Sequence, residues 1–298
     1  MRFLRYLKGL PEHLRYRFGP VVAERLVHFS TWQARRRLSE NQPLGVLVDN
    51  TVLGLAVTHE TAWISTGVSL WGGKVPVETG YSARIPVYSA NNLSENYEHV
   101  TYLAGIAHLA KLGRLRLCTS AELRDERWRQ PGGRFTGYGY FDHSLFGNLK
   151  IECIDRLTGS WVLAPGGIPL KEQQLKRINS SADPLFRVLL NRLGERQSLD
   201  AWHIRTAEVH GLYCFLTADL KLRRSVERWK DYEPFKSMST KVLTPSEFGK
   251  AFGMLPTPPH FQSYTNASFI VRSDLHMPGE RRRPVSQYGS GNKDRRQS

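Results

Sequence analysis

The sequence predicts an α/β fold in three layers, with a central, mostly parallel sheet covered by helices on both faces. Short continuous apolar runs come first: Leu44–Val48, Leu115–Cys118 and Leu212–Leu216 have the length and composition of strands buried on both sides. Segments with helical apolar spacing separate these runs, an alternation that parallel sheets need for their crossovers. The third observation is where the acids stand. Asp49 follows the first run directly, and Asp219 lies just past the third. Open α/β sheets carry their chemistry at the carboxyl ends of such strands.

The elements follow in chain order. Pro20 has the preference of a first helical residue, and Val22, Leu26, Phe29 and Trp32 or Gln33 would then mark one face of a helix running into Arg35-Arg36-Arg37. After the strand Leu44–Val48, residues 56–92 are rich in Gly, Pro, Thr and Ser and read as an inserted loop or β-hairpin. Val100, Leu103, Ile106, Ala107 and Ala110 predict a helix from Ser94 to Lys111, stopped by Gly113. The strand Leu115–Cys118 is followed at once by a helix from Ser120 to about Trp128. A Gly-aromatic stretch with Phe135, Tyr138 and Tyr140 opens a second insertion, irregular from about 130 to 170. Asp183-Pro184 starts a helix that ends near Gly194. Ala201, Ile204 and Ala207 form the next, ended by Gly211 and followed by the strand Leu212–Leu216. Lys241-Val242-Leu243-Thr244-Pro245 is a last short strand closed by proline.

These elements suggest a basic helical extension over residues 1–41, a main domain over 42–250 and a C-terminal extension over 251–298 that ends in a disordered tail. Apolar residues make up 40% of the 298-residue chain, and no apolar run approaches the about 20 residues needed to cross a bilayer. The N-terminus interleaves charge with apolar residues, which fits a basic amphipathic anchor or transit peptide better than a secretory signal. Cys118, Cys153 and Cys214 are widely separated without metal-ligand spacing, and fit free thiols in a reducing cytoplasm.

The charge is +15, from 42 Lys and Arg against 27 Asp and Glu. Such a surplus points to a polyanionic partner, most often nucleic acid, gripped by arginines such as Arg35, Arg36 and Arg37 and those of residues 281–283. Tyr138 and Tyr140 could stack unpaired bases or pack their loop onto the domain.

In a parallel sheet, Asp49, Glu122, Asp200 and Asp219 all approach one carboxyl edge. Clustered carboxylates repel and call for hard divalent cations, Mg²⁺ or Mn²⁺, whose chemistry suits phosphodiester hydrolysis. Glu122 has a second reading, because Thr119-Ser120-Ala121-Glu122 has the spacing of a capping box.

Three segments then carry a resemblance to the PIN-domain nucleases, the family that includes the ribonuclease toxins. They are Leu47-Val48-Asp49-Asn50-Thr51-Val52-Leu53, the stretch from Asp200 to Gly211 with Phe215-Leu216-Thr217-Ala218-Asp219, and the closing Lys241–Phe248. The resemblance implies metal-binding roles for Asp49, Asp200 and Asp219, with Glu122 as the looser fourth acid. It gives Thr217 the hydroxyl that orients an acid or a water, while Asn50, standing where the family usually has Thr, could contact substrate or the first acid. It implies a Mg²⁺- or Mn²⁺-dependent endoribonuclease and admits a homodimer. Two alternatives stand beside it: a non-catalytic nucleic-acid-binding or scaffolding protein that kept the fold, and a toxin held silent by a cognate inhibitor protein. The two large insertions and basic ends depart from a minimal toxin of this family. Other chemistries fail on spacing: His59-Glu60 lacks a second histidine four residues after the first, and neither a G-x-S-x-G elbow nor a P-loop signature occurs.

Overall fold

The apolar runs pair as a parallel sheet in the computed structural model, which describes residues 12–71, 74–88, 96–139, 142–155 and 168–262. β1 (Leu44–Val48) lies at the centre, beside β4 (Leu115–Thr119) on one side and β7 (Cys214–Leu216) on the other. β6 (Glu152–Cys153) extends the sheet beyond β4, and β8 (Lys241–Leu243) extends it beyond β7, giving the order β6-β4-β1-β7-β8. The period-2 geometry of β1 sends alternate side chains into two separate cores. Val46 and Val48 join one cluster with Leu117, Leu216, Leu103 and Phe248, whereas Leu47 joins another with Cys118, Phe215, Ile204 and Phe186. Helices cover both cores, so the three layers are present. Chain order reverses at β1, because β4 and β6 are added on one side of it before β7 and β8 on the other. The crevice outside such a switch point is where open sheets bind ligands.

On the first face lie α1 (Glu12–Ser30), α2 (Trp32–Arg37), α4 (Tyr97–Lys111) and α10 (Pro245–Ala251). The N-terminal segment is more closely joined to the domain than an appended extension. Ala34 and Leu38 belong to its core, and α1 packs on α4. The buried face of α1 and α2 is Ala23, Val27, Ser30, Thr31 and Ala34, while Phe29 and Trp32 are exposed. The face is displaced from the expected Val22-Leu26-Phe29 line because small residues allow close approach to α4. A Cβ on Gly105 of α4 would stand 3.1 Å from Thr31 Cγ2. Pro20 falls inside α1 rather than at its start. Residues just past 250 also pack onto the domain: Met254 is buried, and the Leu255 and Thr257 amides donate to the Ser30 and Thr101 carbonyls at 2.9 and 2.8 Å.

The second face carries α5 (Ala121–Trp128), α6 (Leu170–Asn179), α7 (Pro184–Leu193), α8 (Ser198–Val209) and α9 (Leu220–Trp229). Gly194 and Gly211, with φ of 91° and 60°, end α7 and α8 as the sequence predicts. Neither α6 nor α9 is anticipated. Both are short and strongly charged; Leu222 and Val226 are the buried positions of α9, and Gln174 and Ile178 those of α6.

α3 (Asn50–Leu55) leads from β1 into the first insertion, a hairpin of β2 (Val57–Trp71) and β3 (Val75–Pro86) with a register shift between Ser65 and Gly67. The second insertion is less irregular than its composition suggests: it supplies β6 to the main sheet and β5 (His143–Ser144), which pairs with the root of β2. Tyr140, the N-terminal anchor and Arg281–Arg283 fall outside the described residues. No helix among the described residues is long and apolar enough to cross a membrane.

His143 on β5 yields a testable consequence. Burial, then Arg84 and Lys111, push its imidazole from 6.5 down to about 4. Between those values the unfolded chain binds a proton that the fold refuses, so the contribution is intact above pH 6.5 and lost as pH falls toward 4. His143→Gln should flatten the decline in thermal stability between pH 7 and 4.5, by of order 1–2 kcal/mol after solvent screening. An unchanged decline would mean the ring takes up its proton in the fold without cost.

Candidate active site

β1 ends in Asp49, whose extended backbone (φ −72°, ψ 151°) turns the chain into α3 and leaves its carboxylate at the switch point. Two hydroxyls fix that carboxylate. Thr217, just past β7, donates to Asp49 Oδ2 at 2.7 Å, and Thr51 donates to the same oxygen. The backbone amides of Ala218 and Asp219 donate to the Thr51 and Thr217 hydroxyls, both at 3.1 Å. Adjacent strand ends are thus joined through their side chains. Asp219 then caps α9, its Oδ1 accepting from the Lys221 and Leu222 amides at 2.7 and 3.1 Å.

Asp49, Asp200 and Asp219 line one cavity of about 720 Å³, and with them comes Glu126. The expected fourth acid, Glu122, is elsewhere. Its carboxylate is buried in a two-pronged contact with Arg177 of α6 (Nε–Oε1 2.8 Å, Nη2–Oε2 2.6 Å) and accepts from Gln174 at 2.9 Å. The capping residue of α5 is Ser120, which accepts from the Leu123 amide at 3.2 Å. Glu126, one helical turn after Glu122, takes the position at the cavity instead. His203 Nε2 lies 3.0 Å from its Oε1, and Asn50 Nδ2 lies 3.5 Å from its Oε2. Asn50 spends its shorter bond, at 2.8 Å, on the Leu123 carbonyl, so its amide ties α3 to α5.

His203 is a second residue of the site that the sequence does not single out. It is fully buried on α8, and Asp200 stands three positions before it on the same helical face, the signal that could have found it.

The charges explain one another. Burial raises the pKa of Asp49 against the pull of the Thr51 and Thr217 hydroxyls. Burial also pushes Asp200 up to about 7, helped by the negative charges of Asp49, Asp219 and Glu126 and opposed by His203. Burial alone would discharge His203, but Glu126, Asp49 and Asp200 outweigh it and raise its pKa. The reciprocal effect holds Glu126 below its ordinary value despite burial. His203 therefore feels three carboxyl groups, Glu126, Asp49 and Asp200, and Asp219 adds its negative charge beside Asp200, so acids outnumber cations in the site. The donors are all oxygen, and the chemistry fits a hard divalent cation. Among the described residues, no group of three or more His, Cys, Asp or Glu side chains is assembled to hold a metal ion as it stands. The hydroxyls on Asp49 and the helix cap on Asp219 keep these carboxylates on local partners.

The insertions build the opposite wall. Asp142 accepts from the Thr61 amide and hydroxyl at 2.7 and 2.8 Å and from the Tyr138 amide at 2.7 Å, so the Gly-aromatic loop is clamped to the root of the hairpin. Tyr138 lines the cavity while its ring covers Gly133, where a Cβ would come within 2.1 Å. The tyrosine therefore both packs the loop and faces the cavity. Arg35, Arg36 and Arg37 do not line it. Arg35 donates to the His28 carbonyl at 3.2 Å, Arg36 lies over the Trp32 ring at 4.0 Å, and Arg37 donates to the Ala251 carbonyl at 3.0 Å. Comparison with protein-family models, with curated proteins and with solved structures gives no match.

Proposed function

We propose that this chain is a PIN-like, Mg²⁺- or Mn²⁺-dependent nuclease that hydrolyses phosphodiester bonds, with RNA as substrate. The observation that carries the reading is the convergence of Asp49, Asp200, Asp219 and Glu126 on one cavity at the switch point of a parallel sheet. A protein that only bound a polyanion would gain nothing from carboxylates gathered to face its ligand, because each repels phosphate.

Asp49, Asp200 and Asp219 would hold the ion, with Glu126 in the place the sequence assigns to Glu122. When bound, the ion supplies charge neutralisation at the phosphodiester and lowers the pKa of a water. The protein's own part is orientation. Thr51 and Thr217 aim Asp49, and Asp219 is fixed by the first amides of α9. His203 and Asn50 hold Glu126 at the cavity edge, where it can accept a proton from an attacking water.

The test is incubation of total RNA with the purified chain, with and without Mn²⁺, beside Asp49→Asn. The wild type should cleave only with the cation, and the variant should lose at least 100-fold in rate, the scale on which a positioned acid–base or electrostatic group acts. Cleavage that survives in Asp49→Asn would refute the assigned site. RNA binding without cleavage under any divalent cation would leave the scaffolding reading as the better one.

A further inference from the structure

The cavity needs a grip outside itself. Its described lining includes Asp49, Glu60, Glu126, Asp200 and Asp219 against the single cation Arg134, so an incoming phosphate chain is repelled until something nearby holds it. The arginines first expected to do so, Arg35–Arg37, contact backbone carbonyls and a tryptophan ring.

α9 begins at the cavity rim, since its N-cap is Asp219. Leu222 and Val226 turn one face into the core. Lys221, Arg224 and Arg228 recur at spacings of three and four on the other side, so they form one exposed stripe. The remaining cations nearby are committed: Arg223 contacts Glu247 at 2.9 Å and Glu227 at 2.8 Å, and Lys230 contacts Glu227 at 2.6 Å. Among the described residues, the side chains of Lys221, Arg224 and Arg228 make neither an ion pair nor a hydrogen bond. Three unspent cations, aligned and starting two residues from a carboxylate of the cavity, contribute little to the fold. At 1.5 Å per residue the stripe is about 10 Å long, the reach of two or three successive phosphates.

We propose that Lys221, Arg224 and Arg228 form a phosphate track that holds single-stranded RNA on α9 and leads it to the carboxylate cavity. The inference rests on the nuclease reading for its ligand. Its test uses binding alone. A labelled oligouridine is titrated with the full chain in EDTA over a series of salt concentrations, for wild type, for Lys221→Gln/Arg224→Gln/Arg228→Gln, and for the equal-charge comparison Arg35→Gln/Arg36→Gln/Arg37→Gln. The stripe variant should weaken binding roughly tenfold or more near 0.1 M salt and flatten the log–log salt slope by about 2, at about 0.7 per phosphate contact. Its melting temperature should match the wild type, and the comparison variant should change the slope less. Equal slopes in wild type and stripe variant overturn the track while leaving the nuclease reading intact. Equal flattening in both variants also overturns it, because net charge alone would then suffice. Polyglutamate competing as well as RNA would mark the stripe as a surface for an acidic protein. A wild type that binds no RNA removes the track and its premise together, a result distinct from loss of cleavage in Asp49→Asn.

Discussion

Asp200→Asn should make the metal-free protein more stable and at the same time inactive. Asp200 is half-buried beside Asp49, Asp219 and Glu126, and its carboxyl is raised from 3.8 to about 7. The sign follows from where protons bind. Between pH 3.8 and 7 the unfolded chain has an ionised Asp200 while the fold keeps the proton, so stability is lost progressively as pH rises through that window. Below pH 3.8 the residue costs nothing, and above 7 the loss is complete, of order 3 kcal/mol. Asparagine keeps the shape and removes the charge. The variant should therefore melt higher than the wild type at pH 8 in EDTA, and the two should converge near pH 4. Mn²⁺ should reverse the comparison: it should raise the wild-type melting temperature by mass action and do so much less for the variant. Equal melting temperatures at pH 8 without metal would mean that Asp200 is solvated and that the crowding of acids has no energetic consequence.

That conflict between stability and function was partly legible in the sequence. The runs ending at Asp49 and before Asp219 were readable because buried parallel strands are short, continuous and apolar, and each delivers an acid to the carboxyl edge of the sheet. Asp200 could be placed because Ala201, Ile204 and Ala207 fix the phase of its helix. Glu126 and His203 were harder. Each follows a more conspicuous acid by one helical turn, and which turn faces the cavity depends on what packs against the helix. For α5 that partner is α6, a charged helix after a stretch of sequence with little periodicity, whose Arg177 captures Glu122. Nothing local in residues 121–128 reveals an arginine 55 residues beyond Glu122. The cations differ in legibility for a related reason. Arg35–Arg37 are conspicuous as a run, yet at the end of a helix they meet carbonyls and an indole. Lys221, Arg224 and Arg228 are separated in sequence and align only once α9 exists.

The division of labour on α5 gives the second large effect. Glu122 and Glu126 are the same residue type one turn apart, so a paired experiment can separate structure from chemistry within a single helix. Glu122→Ala leaves Arg177 with only the 3.5 Å contact to Asp125, and leaves Gln174 holding the Glu122 backbone carbonyl at 3.0 Å but no carboxylate. Removing one partner of a buried, hydrogen-bonded ion pair typically costs about 3–5 kcal/mol, and Arg177 is partly exposed, so about 2–3 kcal/mol is expected here. Glu126→Gln keeps the bulk and one acceptor for His203 and should cost less. The activities should run the other way. At a temperature where both variants are folded, Glu122→Ala should cleave RNA at close to the wild-type rate with an unchanged Mn²⁺ requirement. Glu126→Gln should lose at least 100-fold. Denaturant melts and single-turnover cleavage at 20 °C and saturating Mn²⁺ measure both quantities on the same preparations. If Glu122→Ala instead abolished cleavage without loss of stability, the carboxylate would have to leave Arg177 to work in the cavity, and Glu126 would lose its place in the site.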